Sequence, residues 1–275
     1  MSIVMDRFLN RHMSVFLHQH HDNTVCMFIF TYPDFDCMIH VIGSDEMRLS
    51  RSGLWYVVTE VTIFITFLLC IFLKTYERPF FHVIQYSAIG INTLFCINSY
   101  MKSRKQSKAD RFFLSAILMT AIADFLLVIL SSEVASLLGF LTFFLVQLAY
   151  GCTLNNIFTL IRVRIVINLI LLAIFVPVTG NWIYSIGFSV YLTQLILNIC
   201  ATIRDQSSFN SMRQYHLALF GFILFLLCDI FVILRFIIPV RPFEVPITDL
   251  VAWIFYIPSQ VCLALTYLLR KDRTL

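Results

Sequence analysis

Long apolar runs separated by short polar breaks occupy residues 53–270. Each run is about 20 residues, the length a helix rising ~1.5 Å per residue needs to cross ~30 Å of hydrocarbon. The pattern predicts eight transmembrane helices, at about 53–73, 80–101, 112–130, 136–157, 164–180, 182–203, 214–238 and 248–269. The fifth and sixth nearly touch, and Pro177, Gly180 and Asn181 are the predicted turn between them. A transmembrane barrel would need short strands of alternating polarity, which these unbroken runs do not offer. The expected fold is therefore an all-α integral membrane protein: a polar or interfacial tail over 1–52, an eight-helix domain over 53–270, and a short tail over 271–275.

Composition sharpens this picture. The 275-residue chain is 59% hydrophobic and 13% charged, with a mean hydropathy of +0.84. A soluble domain is about half apolar and a quarter charged, so this chain lacks the polar surface of one. The basic residues fall on alternate breaks. Fourteen of the 20 Lys and Arg lie at the ends that are cytosolic if the N-terminus is cytosolic, five of them between Lys102 and Arg111; four lie opposite. The positive-inside bias then puts both termini in the cytosol. The net charge of +4 is this asymmetry, and no basic stripe for nucleic acid is present.

Residues 1–50 lack the basic start, apolar core and small-residue cleavage site of a secretory signal, so none is expected to be cleaved there. Within them, His18 to Asp22 reads HQHHD, with Cys26 and Cys37 beyond. A metal site and a plain interfacial tail are the two readings; no ligand spacing supports the metal, and none is expected. The stretch 26–32 is too short to span. The eight scattered cysteines suggest no disulfide framework.

The candidate chemistry lies in two aspartates, Asp124 and Asp229, each alone in an apolar helix. An ionisable group at membrane depth costs several kcal/mol unless paired or neutralised, which makes it a functional candidate. The fourth helix carries Gly139, Phe143, Gln147 and Tyr150 on one face, and the eighth carries Tyr256, Gln260 and Ala264. Hydrocarbon offers a glutamine amide no partner, so both aromatic-Gln stripes are expected to face inward. The spacing hints at internal symmetry: Asp124 to Asp229 is 105 residues, while Phe143 to Tyr256 and Gln147 to Gln260 are both 113. Two halves related by a two-fold axis along the membrane normal would bring the carboxylates together; coincidence in an apolar sequence is the alternative. Asp124 lies ~18 Å and Asp229 ~22 Å from the cytosolic start of its helix, at similar heights in the non-cytosolic half.

Two carboxylates sharing one proton would supply an acid and a base, as hydrolysis needs. Alternatively each bonds a neighbouring Tyr, Gln or Ser and holds helices together. Tyr191, Gln194 and Asn198 make the sixth helix partly inward-facing. Glu60 lies within reach of the cytosolic interface, with a structural role expected, and His82 and His216 read as interfacial. No Ser-His-Asp set, phosphate loop or zinc motif occurs, and no helix holds the histidines of a membrane zinc hydrolase.

At these residues the chain resembles the YhhN family of eight-span membrane proteins, whose animal members include lysoplasmalogenase. RFFLSAILMTAIADFLL of the third helix resembles the family's Gly-Asp stretch. Gly139, Phe143, Gln147 and Tyr150 resemble its Gly-x3-Phe-x3-His-x2-Tyr stripe. Cys228-Asp229 resembles its Ser-Asp helix, and Tyr256, Gln260 and Ala264 its Tyr-x3-Gln-x3-Ala stripe. The resemblance covers roughly 80–270. Three positions depart from it: Ala123 stands for Gly, Cys228 for Ser and Gln147 for His, and the last removes a possible proton carrier.

The resemblance implies hydrolysis of the vinyl-ether bond of a lysophospholipid substrate without a cofactor, in the endoplasmic reticulum or another endomembrane. Asp124 and Asp229 would be catalytic; Gln147, Tyr150, Tyr191, Tyr256 and Gln260 would hold substrate and water. A proton-coupled transporter and a non-catalytic lipid-binding protein are the alternatives, since intramembrane carboxylates and internal symmetry occur in carriers as well. Against a carrier, no helix shows a Gly/Pro break at midplane in both halves; only Pro258 interrupts the eighth.

Overall fold

The computed structural model describes residues 51–73, 78–102, 107–130, 133–154, 161–209, 211–237 and 247–271. These residues form eight long helices: α1 Arg51–Phe72, α2 Arg78–Lys102, α3 Lys108–Asp124, α4 Glu133–Thr153, α5 Ile161–Thr179, α6 Trp182–Arg204, α7 Met212–Ile237 and α8 Ile247–Lys271. They contain no strand. Residues 1–50 of the predicted polar tail, with His18 to Asp22, Cys26 and Cys37, lie outside the described residues, and Arg51 and Ser52 open α1.

Each predicted apolar run holds one helix. Six helices, α1 and α4 to α8, are long and apolar enough to cross a membrane. α3 has 17 residues because it changes helical form at Asp124, and α2 and α3 carry Gln85, Asn92, Thr120 and Asp124, all buried.

Local chemistry sets the helix ends. Ser107 and Asp110 form a reciprocal cap at the start of α3: the Asp110 amide donates to Ser107 Oγ at 3.1 Å, and the Ser107 amide donates to Asp110 Oδ2 at 2.8 Å. Asn181 caps α6 by accepting from the Ile183 amide at 2.9 Å. Gly180, at φ +63°, makes the left-handed step out of α5 that a side chain would disfavour. Pro177, expected in this turn, instead sits inside α5.

Helix packing closes a ring in the order α2–α3–α4–α6–α7–α8 and back to α2. α1 and α5 lie outside it. α5 packs on α6. α1 packs on α2, with the Tyr56 hydroxyl donating to Asn92 Oδ1 at 2.8 Å and the Phe67 ring 4.9 Å from Phe81. The ring thus reads as α2–α4 followed by α6–α8, each triplet with one outer helix. Glu60, read as within reach of the cytosolic interface with a structural role expected, is only 2% exposed and packs toward the bundle.

The outer surface is apolar. Leu169, Ile170 and Ile174 of α5 and Val61, Ile65 and Leu69 of α1 are exposed. Hydrocarbon solvates such a belt, whereas water would drive it to associate. With no hydrophobic drive between helices in lipid, close approach matters more. At Gly221 of α7 a Cβ would come within 3.0 Å of Leu263 Cγ on α8, and beside it Ser259 Oγ donates to the Gly221 carbonyl at 2.8 Å.

Candidate active site

α3 stops being an α-helix at Asp124. Residues Phe125–Ile129 continue it as one π-helical turn, a widened form that is frequent at functional sites. α4 makes room for the turn with Gly139, where a Cβ would lie 2.6 Å from Leu127 Cγ and 3.4 Å from the Ala123 carbonyl oxygen. The Tyr86 hydroxyl on α2 donates to the Asp124 main-chain carbonyl at 3.1 Å. The Tyr256 hydroxyl on α8 donates to the Asp124 carboxylate. Asp124 is thus held by backbone and side chain at once, and is 5% exposed.

Asp229 lies inside α7 and is 8% exposed. The Tyr191 hydroxyl on α6 donates to its Oδ2 at 2.5 Å. A layer of rings joins the two tyrosines. Tyr191 meets Phe143 at 6.3 Å between centroids, Phe143 meets Phe225 at 6.0 Å, and Phe225 meets Tyr256 at 5.9 Å. The two carboxylates thus hang from the tyrosines at the two ends of this layer.

Polar groups continue from the layer toward the helix ends that carry Lys108, Arg111, Arg213 and Lys271. Asn198 of α6 donates to the Gln147 carbonyl at 2.8 Å and to Gln147 Oε1 at 3.0 Å. Gln194 Nε2 donates to Asn198 Oδ1 at 3.0 Å. This sequence of bonds holds the Gln147 side chain but leaves its Nε2 without a partner. Gln194 Oε1, Tyr150 Oη and both amide atoms of Gln260 are likewise buried without a hydrogen bond. Each such group costs ~1–3 kcal/mol in an apolar interior. Several together form an interior ready to bond a polar guest.

The two triplets use related contacts. Tyr86 stands 38 residues before Asp124 and bonds its carbonyl; Tyr191 stands 38 residues before Asp229 and bonds its carboxylate. Tyr256 reaches Asp124 across the ring. Its counterpart by spacing, Phe143, has no hydroxyl, and Asp229 takes its tyrosine from α6 instead.

All seven residues singled out from the sequence face the interior of the ring. The structure joins Asp124 to Tyr256 and Asp229 to Tyr191. It does not bond Gln147, Tyr150 or Gln260 to either carboxylate. Sequence reading missed Tyr86, although the offset of 105 that relates the aspartates also relates Tyr86 to Tyr191. It named Asn198 only as inward-facing, without its hold on Gln147.

Comparison with curated proteins and with solved structures found no match. Residues 85–267 match the YhhN family. The match opens one residue before Tyr86 and closes at Tyr267, so it takes in both aspartates, their tyrosines and the unpartnered amides. On that span the chain belongs to the YhhN family, the lysoplasmalogenase family.

Proposed function

We propose that this protein is an endomembrane hydrolase, of the endoplasmic reticulum or a related compartment, that cleaves the vinyl-ether bond of lysoplasmalogens to a fatty aldehyde and a glycerophospho-base. One observation carries the reading: two buried carboxylates, each with one oxygen engaged by a tyrosine, flank the same aromatic layer. Family membership supports the substrate class.

The chemistry needs little else. A carboxylic acid protonates the β-carbon of the vinyl ether; the π pair of the double bond becomes the new C–H bond, and the O–H pair stays on the carboxylate. The α-carbon is left as an oxocarbenium ion beside the ether oxygen. The second carboxylate stabilises this cation and takes a proton from water as the water oxygen bonds the α-carbon. The resulting hemiacetal collapses: the second carboxyl gives its proton to the glycerol oxygen as the C–O bond breaks, the first carboxylate takes the hydroxyl proton as the C=O bond forms, and the aldehyde leaves with both carboxyls restored. Asp124 and Asp229 fill the two roles. Tyr256 and Tyr191 each occupy one oxygen and thereby aim the other. The spare groups of Gln147, Tyr150 and Gln260 hold glycerol oxygens and water.

The test is aldehyde release from a lysoplasmalogen by the purified protein. Release is expected to require the vinyl ether. An alkyl ether has no enol carbon to protonate, and an ester would need a nucleophile. Heavy water is expected to slow the rate, because carbon protonation has the proton in flight, and EDTA is expected to have no effect. Ester cleavage at a comparable rate, loss of activity in EDTA, or substrate flux into liposomes without aldehyde would count against this reading.

A further inference from the structure

A cavity of about 130 Å³ lies between α3, α4, α7 and α8, at the bundle end where α3 and α7 begin and α4 and α8 finish. Its wall is mixed. Phe113 and Phe222 belong to the apolar part, and Tyr150, Thr153, Gln214 and Thr266 to the polar part. None of its lining residues is charged. The threonine hydroxyls donate to main-chain carbonyls of their own helices, Thr153 to Ala149 at 3.1 Å and Thr266 to Cys262 at 2.8 Å. Each hydroxyl oxygen keeps lone pairs to accept from a guest. Gln214 Nε2 donates to the Thr266 carbonyl at 3.0 Å and so ties α7 to α8 at this wall. The Tyr150 hydroxyl has no partner, although its residue is only 1% exposed.

The polar wall continues inward. α4 and α8 repeat one arrangement: an aromatic ring in the carboxylate layer, a glutamine four residues on, and a threonine ten residues on. These are Phe143, Gln147 and Thr153 on α4, and Tyr256, Gln260 and Thr266 on α8, offset by 113 residues at all three positions. At ~1.5 Å per residue the glutamines lie ~6 Å, Tyr150 ~10 Å and the threonines ~15 Å from the layer. Gln147 Nε2, both amide atoms of Gln260 and Tyr150 Oη are buried without a hydrogen bond. The route from the cavity to the carboxylates thus runs past donors and acceptors that nothing else occupies.

We propose that this cavity holds water and supplies the molecule that adds at the carboxylates, passed inward along Tyr150, Gln147 and Gln260. That role rests on the hydrolase reading above. Size and chemistry select water. A buried water needs ~10–15 Å³ and about three polar partners, so the cavity has room for several, and its hydroxyls and amides bond them. A phosphate would find no cation in this wall. A hydrocarbon chain would leave the amides along the route unbonded, at a cost for each. The cavity also lies close to a charged end of the bundle: Phe113 follows the exposed Arg111 by two residues, and Gln214 follows Arg213 directly.

Two measurements test this. The first needs no turnover. Hydroxyl radicals made from water by an X-ray pulse oxidise a buried ring only where water stands beside it. The protein in nanodiscs is irradiated and the oxidised residues are mapped. Oxidation is expected at Tyr150, Phe113 and Phe222, each at most 5% exposed, and not at Phe67 and Phe188, which are as buried but do not line the cavity. Ala218→Phe puts a ring of about the cavity's capacity inside it, and is expected to lower the oxidation of Tyr150 to the level of Phe67. Cavity rings as protected as Phe67 in the unsubstituted protein would overturn the proposal. The second measurement follows the oxocarbenium ion in heavy water. With water at hand the ion is captured, and lysoplasmalogen recovered part-way through the reaction carries no deuterium. Without it, the β-carbon returns a hydron to the first carboxylate, and the re-formed vinyl ether keeps deuterium at that carbon in part of the molecules. In Ala218→Phe kcat is expected to fall on the order of tenfold, about one lost hydrogen-bonded step, and the recovered substrate to carry deuterium. Thr266→Val, which removes one hydroxyl and fills nothing, is expected to move both readouts the same way by less. Unchanged kcat with unlabelled substrate would overturn the water path. A fall in kcat without deuterium would also overturn it, and would place the effect in packing at the carboxylates. Oxidised cavity rings without aldehyde release would keep the hydrated cavity and reject the hydrolase. Aldehyde release with protected cavity rings would do the reverse.

Discussion

Asp124 and Asp229 each give one carboxylate oxygen to a tyrosine hydroxyl, and the proposed reaction turns on what the carboxyl group can do with a proton. Asparagine keeps the shape and the acceptor oxygen but cannot pass a proton. Asp124→Asn and Asp229→Asn are each expected to remove nearly all aldehyde release while the protein still inserts and purifies. Near-normal turnover in either variant would reject the acid/base pair, and failure of both to fold would favour a purely structural role. The tyrosines grade this prediction. Tyr256→Phe removes a hydrogen bond worth ~1.5–3 kcal/mol at the step where Asp124 carries its charge, and Tyr86→Phe one to a neutral carbonyl, worth ~1 kcal/mol. In kcat these are on the order of 10- to 100-fold and fivefold losses. Equal effects of the two, read in single-turnover rates, would mean that holding the Asp124 backbone matters as much as holding its carboxylate.

At the level of elements, the π-helical turn after Asp124 depends on α4 coming close at Gly139. A leucine there must displace Leu127, which belongs to the turn itself. Gly139→Leu is expected to cost ~1–3 kcal/mol from overpacking and to abolish turnover by shifting Asp124. Gly180→Ala is the control. It strains a left-handed residue by ~1 kcal/mol in a turn that touches no part of the site. Thermal unfolding and aldehyde release measured together separate the two: both variants lose stability, and only Gly139→Leu loses activity. Equal retention of activity would show that the turn does not position the carboxylate.

For the whole molecule, the ring of α2–α4 followed by α6–α8 brings the two aspartate helices into one interior, with α1 and α5 left to face lipid. Orientation follows from charge rather than packing. A tag at either terminus is expected to be accessible from the cytosol, and the 131–135 loop is expected to be inaccessible, because 14 of 20 basic residues lie at one set of helix ends. Protease protection or cysteine labelling in sealed vesicles reads this, and termini on opposite faces would mean that the spans are miscounted.

Apolar run length by itself determined where the eight helices lie, since a bilayer admits few backbone solutions and each needs a long uninterrupted stretch. The isolation of Asp124 and Asp229 in such stretches marked them as candidates, and side-chain periodicity put Gln147, Tyr150, Tyr256 and Gln260 on inward faces. The partners were not legible. Which tyrosine meets which carboxylate depends on which helices become neighbours, and Tyr256 reaches Asp124 across 132 residues. The π-helical turn was not legible either, because it arises where Gly139 lets α4 approach α3. The role of Tyr86 depends on both. The cavity at Ala218 likewise exists only once four helices meet at that end, since a void belongs to packing and to no single segment.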